Sequence, residues 1–206
     1  GSVGISTGAV EMGQSVNTKM LQVAVLSFGL SSNKVKIETT NTTRIANMSP
    51  TAASATADLN GKALLKACDV LKERLGKVVK QELQLDEKDV ISYRDNMVFI
   101  NGKKSSLTWK KLINATFLKR ISLSEHAHYA TPRIRFDKTK EKGHPFAYHV
   151  YGTALTTVTI DCIRGTYEFD AVEIVHDFGK TMNIGIDMGQ VEGALVQGIG
   201  SVSYTH

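Results

Sequence analysis

Three segments of this 206-residue sequence combine small residues with carboxamide or hydroxyl side chains. They are Glu11-Met-Gly-Gln14, Ser49-Pro-Thr-Ala-Ala-Ser-Ala-Thr56 and Asp187-Met-Gly-Gln-Val-Glu-Gly-Ala194. Glycine and alanine let a ligand approach the backbone, and the start of a helix presents unpaired amides at its positive end. Each segment alone also fits an ordinary, tightly packed helix start. Together they indicate a site for a polar, phosphate-bearing cofactor that carries its own reactive centre.

Other patterns of reactive residues lack the partners that their chemistry needs. His176-Asp-Phe-Gly179 contains a kinase triplet, but neither a glycine-rich phosphate loop nor a kinase catalytic loop accompanies it. We interpret it as a strand end that turns at Gly179. His126 and His128 have no third metal ligand at a useful spacing, so a surface or core pair is the better interpretation. Cys68 and Cys162 form no CxxC motif, and we expect two buried thiols in a reducing compartment.

Composition and charge are those of an ordinary soluble globular protein. Hydrophobic residues make up 42% and charged residues 22% of the chain. The net charge is +5, but the basic residues are scattered and the densest stretch, 133–142, also contains acidic residues. This argues against nucleic-acid binding. No apolar run is long enough for a membrane span and no signal pattern opens the chain, so we expect a cytoplasmic protein.

Periodicity predicts an alternation of strands and helices, followed by a hairpin and a last helix. Ser49-Pro50 predicts the start of the second helix. The Arg164-Gly165 pair predicts the turn of the hairpin. The predicted elements are strands at 3–6 and 34–39, helices at 17–28, 51–75 and 107–118, hairpin strands at 148–161 and 167–175, and a helix at 189–199.

This order of elements predicts an α+β fold with mixed or antiparallel sheets and packed helices. No GxGxxG motif follows a strand, which argues against a doubly wound sheet. Residues 1–200 are expected to belong to one cofactor-binding domain, and two α+β subdomains, about 1–85 and 86–200, are compatible with the pattern. Residues 201–206 are terminal residues of doubtful origin.

The order of the three segments, with Tyr151-Gly152 before a long strand, Ile160-Asp-Cys162, and Gln197-Gly198, resembles the molybdenum hydroxylases of the xanthine dehydrogenase and aldehyde oxidase family. Nearly the whole chain is covered, and it is similar to the C-terminal part of the molybdopterin-binding portion. The resemblance implies that molybdenum is held by the dithiolene of the pterin and by no protein side chain. Ser15, where the family often has glycine, and Thr56, where serine is common, both keep a small side chain.

The resemblance also assigns cofactor contacts by position. Met12, Gly13 and Gln14 are expected to contact the pterin. The backbone of Ala53 is expected to pass nearest the molybdenum, and Gln190 to donate a hydrogen bond to the pterin. The residues expected to surround the pterin and its phosphate are Thr51, Ala52, Ala53, Ser54, Ala55 and Thr56. No catalytic residue is expected in this chain, because the family's glutamate base lies in a Gly-Val-Gly-Glu motif that it lacks. Glu11 and Glu192 are expected to support helix termini instead.

At the level of the complete protein, the resemblance implies hydroxylation of purines, from hypoxanthine to xanthine to urate, with water as the oxygen source. Iron–sulfur clusters, FAD and NAD are implied on other segments or subunits, in a homo-oligomer or a dimer of heteromers. An aldehyde or N-heterocycle hydroxylase is the first alternative. A ligand-binding module of the same fold without catalysis is the second. Neither a nucleic acid nor a membrane is an expected partner.

Overall fold

The computed structural model describes residues 1–38, 40–45, 50–52 and 54–205. The chain divides into two compact units, 1–130 and 131–206. The elements of the first unit are β1 (Val3–Ile5), α1 (Val16–Phe28), a 3-10 turn (Ser32–Lys34), β2 (Val35–Ile37), α2 (Thr56–Leu83), β3 (Ile91–Arg94), β4 (Met97–Ile100), β5 (Lys103–Thr108) and α3 (Trp109–Leu118). Those of the second are β6 (Arg135–Asp137), β7 (Lys142–His144), β8 (Gly152–Asp161), β9 (Thr166–His176) and α4 (Ile184–Thr205). The predicted α+β class is confirmed.

Helix α1 supplies the central face of the first unit. Its buried residues, Val16, Met20, Ala24 and Phe28, recur every four positions and therefore lie on one side of the helix. Burying an apolar side chain of this size stabilises the fold by about 1.5–3 kcal/mol. The buried face packs against α2 and the short parallel pair β1–β2, in which Val3 pairs with Val35 and Ile5 with Ile37.

Gly29 ends α1, as the sequence predicts, for two separate reasons. Its φ of 57° is left-handed, and its amide closes the helix by donating to the Val25 carbonyl. A Cβ at this position would also lie 2.1 Å from the carbonyl oxygen of Tyr93. Only glycine satisfies both the backbone conformation and the close approach of β3.

Helix α2 begins at Thr56, so the predicted start at Ser49-Pro50 is wrong. Ser54 has a φ of 54°, which an α-helix cannot include, and the helical backbone therefore starts after it. The helix continues to Leu83, eight residues beyond the predicted end, and closes at Gln84 in the left-handed conformation. Ser49 itself lies outside the described residues.

Residues 86–130 belong to the first unit, which differs from the predicted boundary near residue 85. Trp109, the first residue of α3, is buried with its ring centroid 5.4 Å from that of Phe28 in α1. The segment after α3 is tied back to α2. Arg74 donates to the Ser124 carbonyl at 3.0 Å, and Lys66 donates to the His128 carbonyl at 3.3 Å. Local periodicity of the sequence cannot predict such contacts, because they join residues that are far apart along the chain.

The second unit contains the predicted antiparallel hairpin, with strands β8 and β9 paired from Gly152↔His176 to Asp161↔Thr166. The Asp161 carboxylate accepts from the amide of Arg164 at 3.0 Å, and Gly165 has a φ of 69° in the turn. Among the described residues of this unit no hydrophobic side chain is fully buried, whereas Asp187 is only 5% exposed. Backbone pairing and local turns therefore define its shape.

Helix α4 begins at Ile184, five residues before the predicted start at Gly189. Asn183 explains the difference, because its side-chain oxygen accepts from the amide of Ile186 at 3.2 Å. This is the geometry of a helix N-cap, which the prediction overlooked. In the described part of the chain, no helix is both long and apolar enough to cross a membrane.

Candidate cofactor-binding site

The first loop, residues 8–15, folds around the carboxylate of Glu11. One oxygen accepts from the amides of Gly13 at 3.0 Å and Ser15 at 2.8 Å, and the other accepts from Asn17 at 3.0 Å. The backbone hydrogen bond from Asn17 is the largest of the effects that lower the pKa of Glu11. The expectation that Glu11 supports a helix terminus is confirmed. The start of α1 is thus occupied by a carboxylate of the chain itself.

The first loop also determines the orientation of Gln14. The carboxamide oxygen of this half-buried residue accepts from the amide of Met12 at 2.6 Å, and its nitrogen donates to the Val10 carbonyl at 2.7 Å. A carboxamide has two N–H donors and two lone pairs, so one of each is left over from the hydrogen bonds that Gln14 makes with described residues. Gly13 has a φ of 98°, and beyond its chain neighbours no described residue lies within 4 Å of a Cβ built on it. A ligand has room beside the loop at this point.

The second loop, residues 50–52 and 54–56, lies next to the first. The amide of Val10 donates to the Thr51 hydroxyl at 2.9 Å, a contact between residues 41 positions apart. Thr40 holds the other side of the first loop, because its hydroxyl donates to the Ala9 carbonyl at 2.8 Å. Two of the three predicted segments therefore meet. Ala53 lies outside the described residues, so its approach to molybdenum stays a prediction.

The remaining residues of the second loop lead into α2. Ala52 and Ser54 are exposed, while Ala55 and Thr56 are half-buried. Ala55 occupies the N-cap position and has no side-chain oxygen to accept from the first helical amides. The two helix starts therefore differ: α1 receives the Glu11 carboxylate from the preceding loop, whereas the acidic residue of α2, Asp58, lies within its first turn.

The third segment does not form a helix start. Gln190 is the seventh residue of α4 and is exposed, because Asn183 starts the helix well before it. Glu192 lies two residues further on, so the expectation that it supports a helix terminus is wrong. Asp187 is held inside the first turns of α4, where the Thr181 hydroxyl donates to its carboxylate. Residues 188–194 thus form a largely exposed part of α4 instead of its N-terminus.

Thr7 is a polar residue at this site that the sequence analysis missed. It is 6% exposed and directly precedes the first loop, and its hydroxyl has no hydrogen-bond partner among the described residues. The signal was available, because Ile5, Thr7 and Ala9 alternate along one extended segment and all three are buried. A buried hydroxyl that has no partner among the described residues and directly precedes the first loop fits a polar ligand. The surrounding donors are amides and hydroxyls, which suit a heteroaromatic and phosphate-bearing group.

Metal-ligating side chains do not gather in the described residues, where no group of three His, Cys, Asp or Glu could hold a metal ion. His126 and His128 are both exposed. Cys68 is buried, which raises the pKa of its thiol, whereas Cys162 is exposed. The prediction of two buried thiols is therefore wrong for Cys162, which directly follows β8 in the exposed turn of the hairpin.

Comparison with known proteins identifies the family. Residues 1–206 match the model of the molybdopterin cofactor-binding domain. Xanthine dehydrogenase/oxidase of Felis catus and xanthine dehydrogenase of Oryza sativa subsp. japonica are each 38% identical over 200 residues, 97% of this chain but only 13% of their own length. The crystal structure of quinoline 2-oxidoreductase from Pseudomonas putida 86 has the same fold, with a TM-score of 0.76 at 20% identity over 97% of this chain and 25% of that chain. This chain belongs to the molybdopterin cofactor-binding domain family.

Proposed function

We propose that residues 1–200 form part of the molybdenum-cofactor site of a xanthine dehydrogenase-type oxidoreductase. The observation that carries this proposal is the hydrogen bond from the Val10 amide to the Thr51 hydroxyl, which holds the first and second loops side by side. The proposed cofactor-binding residues are Met12, Gly13, Gln14, Thr51, Ala52, Ala53, Ser54, Ala55, Thr56 and Gln190.

Each part of the site has a distinct task. Gly13 leaves space for the pterin, and Gln14 offers its spare donor and acceptor to a heteroaromatic edge. The Thr51 oxygen accepts from Val10, so its own proton can be donated to the ligand. The phosphate is assigned to the start of α2, where small side chains leave the backbone amides unobstructed and Asp58 is the acidic residue of the first turn. When bound, the cofactor supplies the molybdenum centre that transfers oxygen from water and takes up two electrons.

For the complete protein we propose hydroxylation of purines, from hypoxanthine to xanthine to urate, in the cytoplasm. Iron–sulfur clusters, FAD and NAD would then lie on other segments or subunits, in a homo-oligomer or a dimer of heteromers. The relatives are far longer than this chain, which leaves room for such domains. The support for purines is the 38% identity to xanthine dehydrogenases over nearly the whole chain.

A second candidate is an N-heterocycle or aldehyde hydroxylase, because the fold is shared with quinoline 2-oxidoreductase. Steady-state turnover of the complete protein separates the two. A kcat/KM for hypoxanthine and xanthine far above that for quinoline and a simple aldehyde supports the purine enzyme. The opposite order supports the second candidate.

Gln14→Ala in the complete protein tests the cofactor site itself. Removing one partner of a buried hydrogen bond costs about 1–3 kcal/mol, so we expect about five- to 150-fold weaker cofactor binding. Molybdenum content and the fluorescence of the oxidised pterin measure it. Gln81→Ala, on an exposed part of α2, is the matched control and should keep the wild-type content. A Gln14→Ala protein with unchanged content would exclude the assigned role.

A further inference from the structure

We propose that Glu11 is a positioning residue for the cofactor site: its carboxylate holds the first loop in the shape in which Met12, Gly13 and Gln14 contact the pterin. The inference rests on the proposed function. Glu11 itself need not touch the cofactor, since its hydrogen bonds to the described residues go to the backbone amides of Gly13, Ser15 and Asn17.

The backbone of the first loop needs an external restraint. Gly13 has a φ of 98° and Ser15 a φ of 60°, so both residues that flank Gln14 are left-handed. A serine in this conformation costs about 1–3 kcal/mol and persists only where its surroundings hold it there. The side chain of Ser15 does not cap α1. The Glu11 carboxylate instead bonds the amides of both left-handed residues, as well as that of Asn17.

The orientation of Gln14 depends on this restraint. Its carboxamide is held by the Met12 amide and the Val10 carbonyl, which are both backbone groups of the same loop. If the loop relaxed, these two groups would move and the spare donor and acceptor of Gln14 would lose their direction. Glu11 therefore acts on the cofactor through Gln14.

The carboxylate also occupies the start of α1. An anion there would compete with Glu11 for the amides of Gly13, Ser15 and Asn17. Repulsion between the two negative groups would add to that competition. The cofactor's phosphate is therefore not expected at the start of α1.

The test uses the complete, cofactor-loaded protein and follows the loss of molybdenum and pterin during dialysis. Glu11→Ala removes the carboxylate and should speed the loss at least tenfold. Glu11→Gln keeps the shape but replaces one acceptor by a donor, and we expect an intermediate rate. Glu168→Ala, at an exposed position in β9, is the matched control and should behave like the wild type.

Chemical rescue separates positioning from a general loss of stability. Acetate can occupy the site vacated in Glu11→Ala, so it should slow cofactor loss from this variant and not from wild type, while sodium chloride at equal ionic strength should have no effect. Cofactor retention in Glu11→Ala and Glu11→Gln equal to wild type, or equal effects of acetate and chloride, would overturn the inference. If Glu11→Ala does not fold, the rate at which Glu11→Gln loses molybdenum and pterin tests the inference in its place. Gln14→Ala is measured in parallel to distinguish a failure of this inference from a failure of the proposed function. If Gln14→Ala also retains the cofactor, the proposed function fails as well.

Discussion

Gly13→Ala and Gly102→Ala form a matched pair that separates backbone strain from loss of ligand space. Both glycines have positive φ, 98° and 78°, and beyond the chain neighbours no described residue lies within 4 Å of a Cβ built on either. The backbone cost should therefore be similar, about 1–3 kcal/mol in each variant. Gly13, however, lies in the first loop beside Gln14, whereas Gly102 lies in the β4–β5 turn. Only at Gly13 would the new methyl group enter the proposed cofactor space.

Two assays on the complete protein compare the stability and the cofactor content of Gly13→Ala and Gly102→Ala. Urea unfolding should show comparable destabilisation, because neither methyl group contacts the fold. Molybdenum and pterin content should fall at least tenfold in Gly13→Ala and stay near wild type in Gly102→Ala. Equal cofactor content in the two variants would refute the placement of the ligand beside Gly13. A much larger loss of stability in Gly13→Ala would refute the claim that the space is open.

Three further outcomes follow from the structure. Gly29→Ala should destabilise the fold by about 3–6 kcal/mol in urea unfolding, because left-handed strain adds to the 2.1 Å approach of its Cβ to the Tyr93 carbonyl. Glu11→Gln should make the free energy of unfolding depend less on pH in acid. Because the pKa of Glu11 is lowered in the folded protein, its ionised carboxylate stabilises the fold above the ordinary carboxyl pKa, and this stabilisation is lost as pH falls through the pKa of the folded state. Burial raises the pKa of Tyr93 from 10.0 to about 12. The protonated side chain therefore contributes to the free energy of unfolding below pH 10, and this contribution is lost as pH rises through 12. Tyr93→Phe should remove this alkaline loss and be neutral or stabilising, since the buried hydroxyl has no partner in the described residues.

The elements that the sequence predicted well have short-range causes. The helix predicted at 17–28 forms as α1, and its apolar residues Met20, Ala24 and Phe28 are buried. It ends before Gly29, the residue type that most often ends a helix. The hairpin follows from two apolar runs around Arg164-Gly165, although β8 starts at Gly152, four residues later than predicted. In each case the residues that determine the structure are neighbours along the chain.

Helix starts were less predictable, because a single side chain determines them. Ser49-Pro50 looks like a helix start, but the left-handed Ser54 moves it to Thr56. Asp187-Met-Gly-Gln190 looks like another, but Asn183 starts α4 earlier and leaves Gln190 in the second turn. Small and polar residues are common both at helix starts and on helix surfaces, so composition does not distinguish the two.

By itself the sequence identified the residue types of the proposed cofactor site: glycine, carboxamide and hydroxyl groups in three segments that resemble helix starts. Only the tertiary structure decided how they are used. The Val10–Thr51 hydrogen bond joins residues 41 positions apart, and the Glu11 carboxylate takes three amides that composition alone would leave to a ligand. The physical reason is that a hydrogen bond needs two groups within about 3 Å, and a local pattern carries no information about distances between remote parts of the chain.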